Sequence, residues 1–159
     1  MLTQLLPLPI KPLTTDMIRN FMNHYSSHFQ GVYASNNIPH HLCHKKEFAI
    51  ICNLSPDYSK GTHWVAIYCK ADKMIYMDSY GLPPLLNPDI WNFIENCHRP
   101  LIFSKSRLQS DNSDACGYYC ILIILYHEKA SKLFKLNFDE NLANNDVKCI
   151  SYIKKILYE

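Results

Sequence analysis

Four residues have the types and order that acyl transfer to a thiol requires: His63, Asp78, Gln109 and Cys116. A thiol is a strong nucleophile only as thiolate, which both an imidazolium and a helix N-terminus stabilise. A carboxylate beside the imidazole fixes its tautomer. An uncharged amide donates to an oxyanion without neutralising the thiolate. We therefore expect Cys116 to be the nucleophile, His63 the general base, Asp78 the orienting acid and Gln109 the oxyanion donor.

The candidate nucleophile stands at the start of a strongly apolar run. Cys116 and Gly117 are followed by residues 118–126, which are almost all apolar. A helix that is apolar on every side is buried in a protein core. The sequence therefore predicts a central helix from Cys116 to about residue 130, with the thiol at its N-terminus.

The histidine and the aspartate flank two apolar runs. Residues 64–69 and 74–78 each have the length and composition of a buried strand, and the polar residues 70–73 separate them. The simplest connection is an antiparallel hairpin. His63 heads the first strand and Asp78 ends the second, so the hairpin brings the carboxylate within reach of the imidazole.

The remaining patterns complete an α+β chain. Helices are predicted near 15–27, at 87–97 and after an Asp139 cap, and strands at 48–54 and 101–103. No repeat or long linker divides the sequence. We expect a single domain over 1–159, with 1–14 as an extended N-terminal segment. Its sheet is expected to be mixed and largely antiparallel and to pack against helices.

Composition narrows the function classes. The 159 residues are 48% hydrophobic and carry a formal net charge of +2, which demands no broad nucleic-acid surface. Seven scattered cysteines form no compact disulfide framework, so a reducing intracellular compartment is expected. The N-terminus lacks the basic leader of a signal peptide. The run at 121–126 is too short to cross a bilayer.

Each candidate residue taken alone has an ordinary alternative. A cysteine before an apolar helix is usually a small buried hydrophobe, as we expect of Cys120. Asp78 could simply start a turn. The cluster at 40–44 contains three histidines and Cys43, but structural zinc needs four ligands and no clear second pair follows. We expect an exposed loop there and no metal. The joint order of the four residues is what favours catalysis.

The motifs around these residues resemble the adenovirus protease (adenain) family and, more distantly, the proteases that process ubiquitin-like modifiers. The shared strings are Gly-Thr-His-Trp at 61–64, Met-Asp-Ser-Tyr-Gly at 77–81, and Gln109 followed seven residues later by Cys116-Gly117. The spacing from Gln109 to Cys116 is one longer than in most modifier proteases, which favours the adenain branch. The resemblance covers roughly residues 15–130.

The resemblance implies a viral or virus-derived cysteine endopeptidase that acts in virion maturation. It implies an adenain-like fold, with a papain-like site in a rearranged chain order. The four residues take the roles given above, and Trp64 and Gly117 would belong to the substrate cleft. The implied substrates are capsid or core precursors cut at small, glycine-containing sites. A monomer in the host nucleus or cytoplasm, or packaged in the virion, is the expected state.

Two features depart from the family. Adenain is activated by a peptide that is disulfide-linked to a cysteine, and Cys97 lies in the corresponding region but is displaced. The chain after the catalytic helix is short, and the low charge weakens any transfer of the family's DNA cofactor. We therefore expect no required cofactor, although a peptide or DNA activator remains an alternative. Isopeptidase action on ubiquitin-like modifiers, acyl transfer, or a noncatalytic capsid-associated role are the other functions left open.

Overall fold

The computed structural model describes residues 11–57, 63–111 and 113–158, and the predicted α+β class is confirmed. A five-stranded mixed sheet packs against helices. The elements, in chain order, are α1 (Thr15–Tyr25), β1 (Phe29–Ala34), β2 (Phe48–Asn53), β3 (Trp64–Lys70), β4 (Lys73–Met77), α2 (Pro88–Cys97), β5 (Leu101–Phe103), α3 (Cys116–Leu125) and α4 (Leu142–Tyr158). Short 3-10 turns at His40–His44 and Pro84–Leu86 and a π turn at Tyr126–Ala130 complete them.

The sheet has the order β1-β2-β3-β4-β5. The three central strands are antiparallel, and the β3–β4 pair is the predicted hairpin. The two outer pairs, β1 with β2 and β4 with β5, are parallel. The expectation of a largely antiparallel sheet therefore holds only for the centre. The outer pairs are parallel because each is joined by a crossover, one through the turn at His40–His44 and the other through α2.

Both faces of the sheet are buried. One face packs against α1, α3 and α4, and the other packs against α2 and the turn at His40–His44. In β2, Ile51 belongs to the first core and Ile50 to the second, which is the alternation a pleated strand imposes. This two-sided burial explains why β2 and β3 read as continuous apolar runs.

Helix α3 lies at the centre of the first core. Every residue from Gly117 to Leu125 is buried, as the apolar run predicts. The α-helix ends at Leu125 and continues as the π turn, so the predicted helix to about residue 130 changes its geometry over the last five residues. A helix held on all sides is a rigid base for the residue at its first position.

Two elements differ from the expectations. Strand β1 was not predicted, since Gln30 and Gly31 interrupt its apolar pattern and the register shifts between Phe29 and Gly31. Helix α4 begins at Leu142 rather than directly after Asp139. Asp139 instead pairs with Lys148 at 2.9 Å.

Residues 11–14 enter α1 without regular structure, and the rest of the predicted N-terminal segment lies outside the described residues. None of the helices among the described residues is long and apolar enough to cross a membrane.

Candidate active site

Cys116 is the first residue of α3, at the position the sequence predicts. The preceding residue, Ala115, occupies the N-cap and its side chain makes no capping bond. An N1 residue has no intrahelical acceptor for its own N–H, so this helix end presents backbone donors and positive partial charge beside the half-buried thiol.

His63 and Asp78 meet at one end of the β3–β4 hairpin. His63 immediately precedes β3 and Asp78 immediately follows β4, and the antiparallel register pairs Ala66 with Met77. The ring Nε2 of His63 lies 2.8 Å from Oδ1 of Asp78. Both side chains are buried, with residue exposures of 8% and 4%. The carboxylate therefore fixes the orientation of the ring from behind.

The His63 ring also interacts with the thiol of Cys116. Since Nε2 is taken by Asp78, Nδ1 is the ring nitrogen left for that interaction. Burial of the ring acts to lower the pKa of His63. The hydrogen bonds to Asp78 and Cys116, together with their negative charges, outweigh burial and raise that pKa to about 9. The site thus favours an imidazolium at neutral pH, which is the partner that a thiolate needs.

Tyr80 holds the imidazole from a second direction. Its ring stacks on His63 with a centroid distance of 4.8 Å and an interplanar angle of 23°. Its backbone N–H donates to Oδ1 of Asp78 at 2.8 Å. The turn after β4 therefore restrains both members of the His–Asp pair.

Gln109 is buried, with an exposure of 1%, and both ends of its amide are held. The hydroxyl of Ser79 donates to its Oε1 at 2.5 Å, and its Nε2 donates to the carbonyl of Ser113 at 2.6 Å. An amide nitrogen carries two hydrogens, so the second is available to a substrate oxygen. Ser79 also accepts backbone bonds from Leu108 and Gln109. The amide of Gln109, the candidate oxyanion donor, is thus fixed by the residue next to Asp78.

These groups converge on one cleft of about 530 Å³. His63, Gln109 and Cys116 line it, and buried Asp78 lies behind His63. Trp64 also lines the cleft, as expected of a cleft residue. The structure brings all four predicted catalytic residues together at this cleft.

Gly117, the other predicted cleft residue, is buried and is not among the described residues that line the cleft. A Cβ there would lie 3.1 Å from Leu13 and 3.5 Å from Ile18, so this glycine permits close packing of the N-terminal segment. Leu13 itself lines the cleft, and its carbonyl accepts a 3.3 Å bond from the Trp64 indole.

Two regions outside the cleft contain cysteines that could be considered as metal ligands: the turn at 40–44 and the surroundings of Cys97. Among the described residues, no group of three or more His, Cys, Asp or Glu side chains is arranged to hold a metal ion. The region 40–44 forms a 3-10 turn anchored by buried Leu42 rather than a wholly exposed loop. Cys97 is buried near Cys43 and Cys69, and burial, followed by its hydrogen bond to Cys43, raises the pKa of its thiol.

Sequence reasoning missed the supporting residues Ser79, Tyr80 and Leu13. Ser79 and Tyr80 are part of the motif that follows Asp78, and their spacing from it was the only available signal. Nothing local predicts that Ser79 would bond a residue 30 positions away. Such contacts come from tertiary packing.

Comparison with known proteins is informative for the fold. No protein-family model matches the chain, and no curated protein matches it. A solved structure, the central domain of the uncharacterized protein Lpg1148 from Legionella pneumophila, is similar with a TM-score of 0.52 at 12% sequence identity. The match covers 92% of this chain and 97% of that domain. At this identity the likeness shows a shared fold.

Proposed function

We propose that this chain is a cysteine endopeptidase that cleaves proteins next to small residues. The observation that carries the proposal is the Cys116–His63–Asp78 relay, which faces one cleft together with the amide of Gln109. Nucleophile, base, orienter and oxyanion donor are the complete set that thiol-dependent peptide cleavage needs. The motif resemblance to the adenovirus protease family supports viral structural precursors as the substrate class.

The first half-reaction forms a thioester. The Cys116 thiolate attacks the carbonyl carbon of the scissile bond, and the oxygen becomes an oxyanion that accepts from Gln109 Nε2 and the N–H of Cys116. The His63 imidazolium then gives its proton to the leaving nitrogen as the C–N bond breaks. The amine product departs, and the acyl group stays on sulfur.

The second half-reaction releases the acid. His63, now neutral, takes a proton from water, and the resulting hydroxide attacks the thioester carbonyl. The second oxyanion accepts hydrogen bonds from the same two donors. When the C–S bond breaks, the acid product leaves and the thiolate–imidazolium pair is restored. Asp78 orients the ring through its bond to Nε2 and stabilises the imidazolium in each half-reaction.

The walls of the cleft favour a small residue before the scissile bond. Three aromatic side chains, Tyr33, Trp64 and Tyr80, line the cleft. Trp64 is fixed by its bond to Leu13 and Tyr80 by its stacking on His63. Aromatic rings fixed in the cleft wall restrict the volume that a substrate side chain can occupy.

A peptide panel tests this function. Peptides that differ only in the residue before the scissile bond, with Gly, Ala, Leu or Phe, are incubated with the protein and analysed by mass spectrometry. We expect cleavage after Gly and Ala that Cys116→Ala abolishes and Cys43→Ala retains. Cys43 is the matched control, since it is the other half-buried cysteine of the seven. Cleavage that persists in Cys116→Ala would refute the proposal, and equal cleavage after Phe would refute the small-residue preference.

A second arm separates the two protease branches. A ubiquitin-like modifier carrying a C-terminal Gly-Gly isopeptide conjugate is compared with a linear peptide of the same sequence. The endopeptidase proposal predicts that the linear peptide is cut at least as fast. Selective cleavage of the conjugate would favour the isopeptidase alternative instead.

A further inference from the structure

Two neighbouring polar residues on α4 are buried away from the cleft. Asn145 has an exposure of 0% and Asp146 of 6%. Both lie in the first turn and a half of a helix whose other buried residues are apolar. Burying polar groups costs free energy unless they are hydrogen-bonded, so their partners indicate what they hold.

Asp146 accepts two hydroxyl hydrogen bonds. Ser110 donates to its Oδ2 at 2.9 Å, and Tyr119 of α3 donates to its Oδ1 at 2.8 Å. Both donors are neutral and both carboxylate oxygens are used. The carboxylate therefore joins the loop that carries Ser110 to the helix that carries Cys116.

Asn145 binds the same loop one residue before Gln109. Its Nδ2 donates to the Leu108 carbonyl at 3.2 Å and to the Asp139 carbonyl at 2.9 Å, while its Oδ1 accepts from the Asp139 N–H at 2.9 Å. The Tyr119 hydroxyl also lies 3.3 Å from the Leu108 carbonyl oxygen. Both neighbours of Gln109 in the chain are thus tied to α4 or α3.

The loop at 108–110 is hydrogen-bonded to the protein on two sides. Ser79 holds the backbone N–H groups of Leu108 and Gln109 from the hairpin side. The Asn145–Asp146 pair holds the Leu108 carbonyl and the Ser110 side chain from the helix side. Gln109 lies between these anchors, and its amide must be placed to a fraction of an ångström to act on a developing oxyanion.

We propose that Asn145 and Asp146 are positioning residues for Gln109, so that the C-terminal helix sets the geometry of the oxyanion site. The inference rests on the proposed function. Helix α4 lies after the residues that resemble the family's motifs. The inference gives this helix a role in transition-state stabilisation as well as in fold stability.

The first test separates the oxyanion site from the thiolate. In Asp146→Ala we expect kcat on a Gly-containing peptide to fall between about 10- and 100-fold, with little change in KM. The rate at which iodoacetamide alkylates Cys116 should change less than about twofold, because that displacement forms no oxyanion. Val147→Ala, an exposed change on the same helix, is the matched control and should leave kcat unchanged. A parallel loss of alkylation and turnover would overturn the proposal.

A double-mutant cycle supplies the decisive comparison. If Asp146 acts through Gln109, adding Asp146→Ala to Gln109→Ala costs almost nothing further in kcat. If it lowers kcat by the same factor in both backgrounds, Asp146 acts independently and the inference is wrong. Asp146→Asn should restore most of the activity, because an amide can still pair with both hydroxyls.

A measurement that does not depend on catalytic activity tests the positioning role separately from the proposed peptidase function. Amide hydrogen exchange over 107–111 should speed up in Asp146→Ala while exchange in β2 stays unchanged. Unchanged exchange in the loop would overturn the positioning role even if the wild type cleaves no peptide. Loop loosening with an inactive wild type would leave positioning intact and count against the peptidase proposal.

Discussion

At the scale of single residues, the site depends on the competition between burial and charge at His63. Burial alone would favour a neutral imidazole. Contacts with Asp78 on one nitrogen and Cys116 on the other reverse this preference and raise the pKa of His63 to about 9. The result is a proton held by the ring over the physiological range, which is the state that the proposed role as a general acid needs.

The raised pKa predicts the alkaline limit of activity. Since the ring must be protonated to serve as the acid, kcat/KM should fall as the pH rises through about 9. Asp78→Asn removes the charge that holds the proton, so the fall should begin at lower pH. A pH profile of peptide cleavage for the two proteins checks this. An unchanged alkaline limb in Asp78→Asn would contradict the assigned role of the carboxylate.

The same pKa predicts a direction for stability. Folded His63 binds its proton more tightly than an unfolded histidine at 6.5, so this contribution to stability is complete below about pH 6.5 and is lost as the pH rises through about 9. Urea unfolding at pH 6.0 and 9.5 should show the loss in the wild type and a smaller loss in His63→Ala. An equal loss in both proteins would assign the effect to other groups.

Gln109 is the residue whose substitution best isolates oxyanion stabilisation. Gln109→Glu keeps the size but replaces the donating nitrogen by an acceptor oxygen that repels the oxyanion. We expect kcat to fall about 100-fold or more. Single-turnover cleavage of a peptide ester measures the acylation step directly. Wild-type acylation in Gln109→Glu would show that the amide is not the donor.

Residue types and their order were predictable, because the chemistry restricts which side chains can serve. The supporting contacts were not. The bonds from Ser79 to Gln109 and from Asp146 to Ser110 join residues 30 and 36 positions apart, and no local pattern encodes that separation. The alternation of apolar and polar residues in a strand predicts which face of the strand is buried. It does not predict which loop packs against that strand.

At the scale of elements, the β3–β4 hairpin and the N-terminus of α3 set the distances in the site. The antiparallel register brings the start of β3 beside the end of β4, which places His63 next to Asp78. Immediately beyond Asp78 the chain turns at Gly81, whose φ is +74°. A Cβ there would lie 2.6 Å from the Lys105 carbonyl oxygen. The turn that holds Tyr80 and Ser79 therefore requires glycine.

Gly81→Ala should disturb both stability and the site. The left-handed backbone and the clash with a main-chain oxygen should cost more than about 1 kcal/mol. Displacing the turn should also lower kcat. Gly117→Ala separates backbone strain from side-chain crowding, since its Cβ would meet only side chains, with Leu13 at 3.1 Å and Ile18 at 3.5 Å. Urea unfolding and peptide cleavage compare the two. Equal effects would show that backbone strain at Gly81 is not what matters.

Element prediction was most successful where both faces of a segment are buried. β2, β3, β4 and α3 have long apolar runs, and their limits agree with the expectations to within a residue or two at the ends that bear on the site. The edge strand β1 was missed because only Phe29 and Val32 in it are buried. A half-exposed strand with an internal glycine has no strong signature. The start of α4 was misplaced because Asn141, not Asp139, holds the first helical N–H: Asn141 accepts from the Asn144 N–H through both its side chain and its carbonyl.

At the scale of the whole molecule, one hydrophobic core covers each face of the sheet. The candidate active site lies at one end of this sheet. α3 is packed between the sheet, α1 and α4, so Cys116 is the first residue of the most deeply buried helix. The crossover connections lie at the outer strands of the sheet. The central β3–β4 hairpin carries His63 and Asp78 at its end.

The layering predicts which thiols react in the native protein. Five of the seven cysteines are buried, and only Cys43 and Cys116 are half-buried. A thiol reagent at neutral pH should therefore modify at most these two quickly, and all seven after denaturation. Mass mapping of the modified peptides checks this. Rapid modification of Cys120 or Cys149 would contradict the packing of α3 against α4.

The most direct test of the central claim is covalent capture of Cys116 by a substrate-shaped electrophile. A peptide ending in Gly-Gly with a cysteine-reactive warhead is incubated with the wild type, Cys116→Ala, His63→Ala and Cys43→Ala, and intact mass is measured. We predict a single adduct on the wild type and on Cys43→Ala, none on Cys116→Ala, and at least a tenfold slower reaction on His63→Ala. An adduct that survives in Cys116→Ala, or one that forms equally fast without His63, would contradict the assignment of the cysteine-peptidase site.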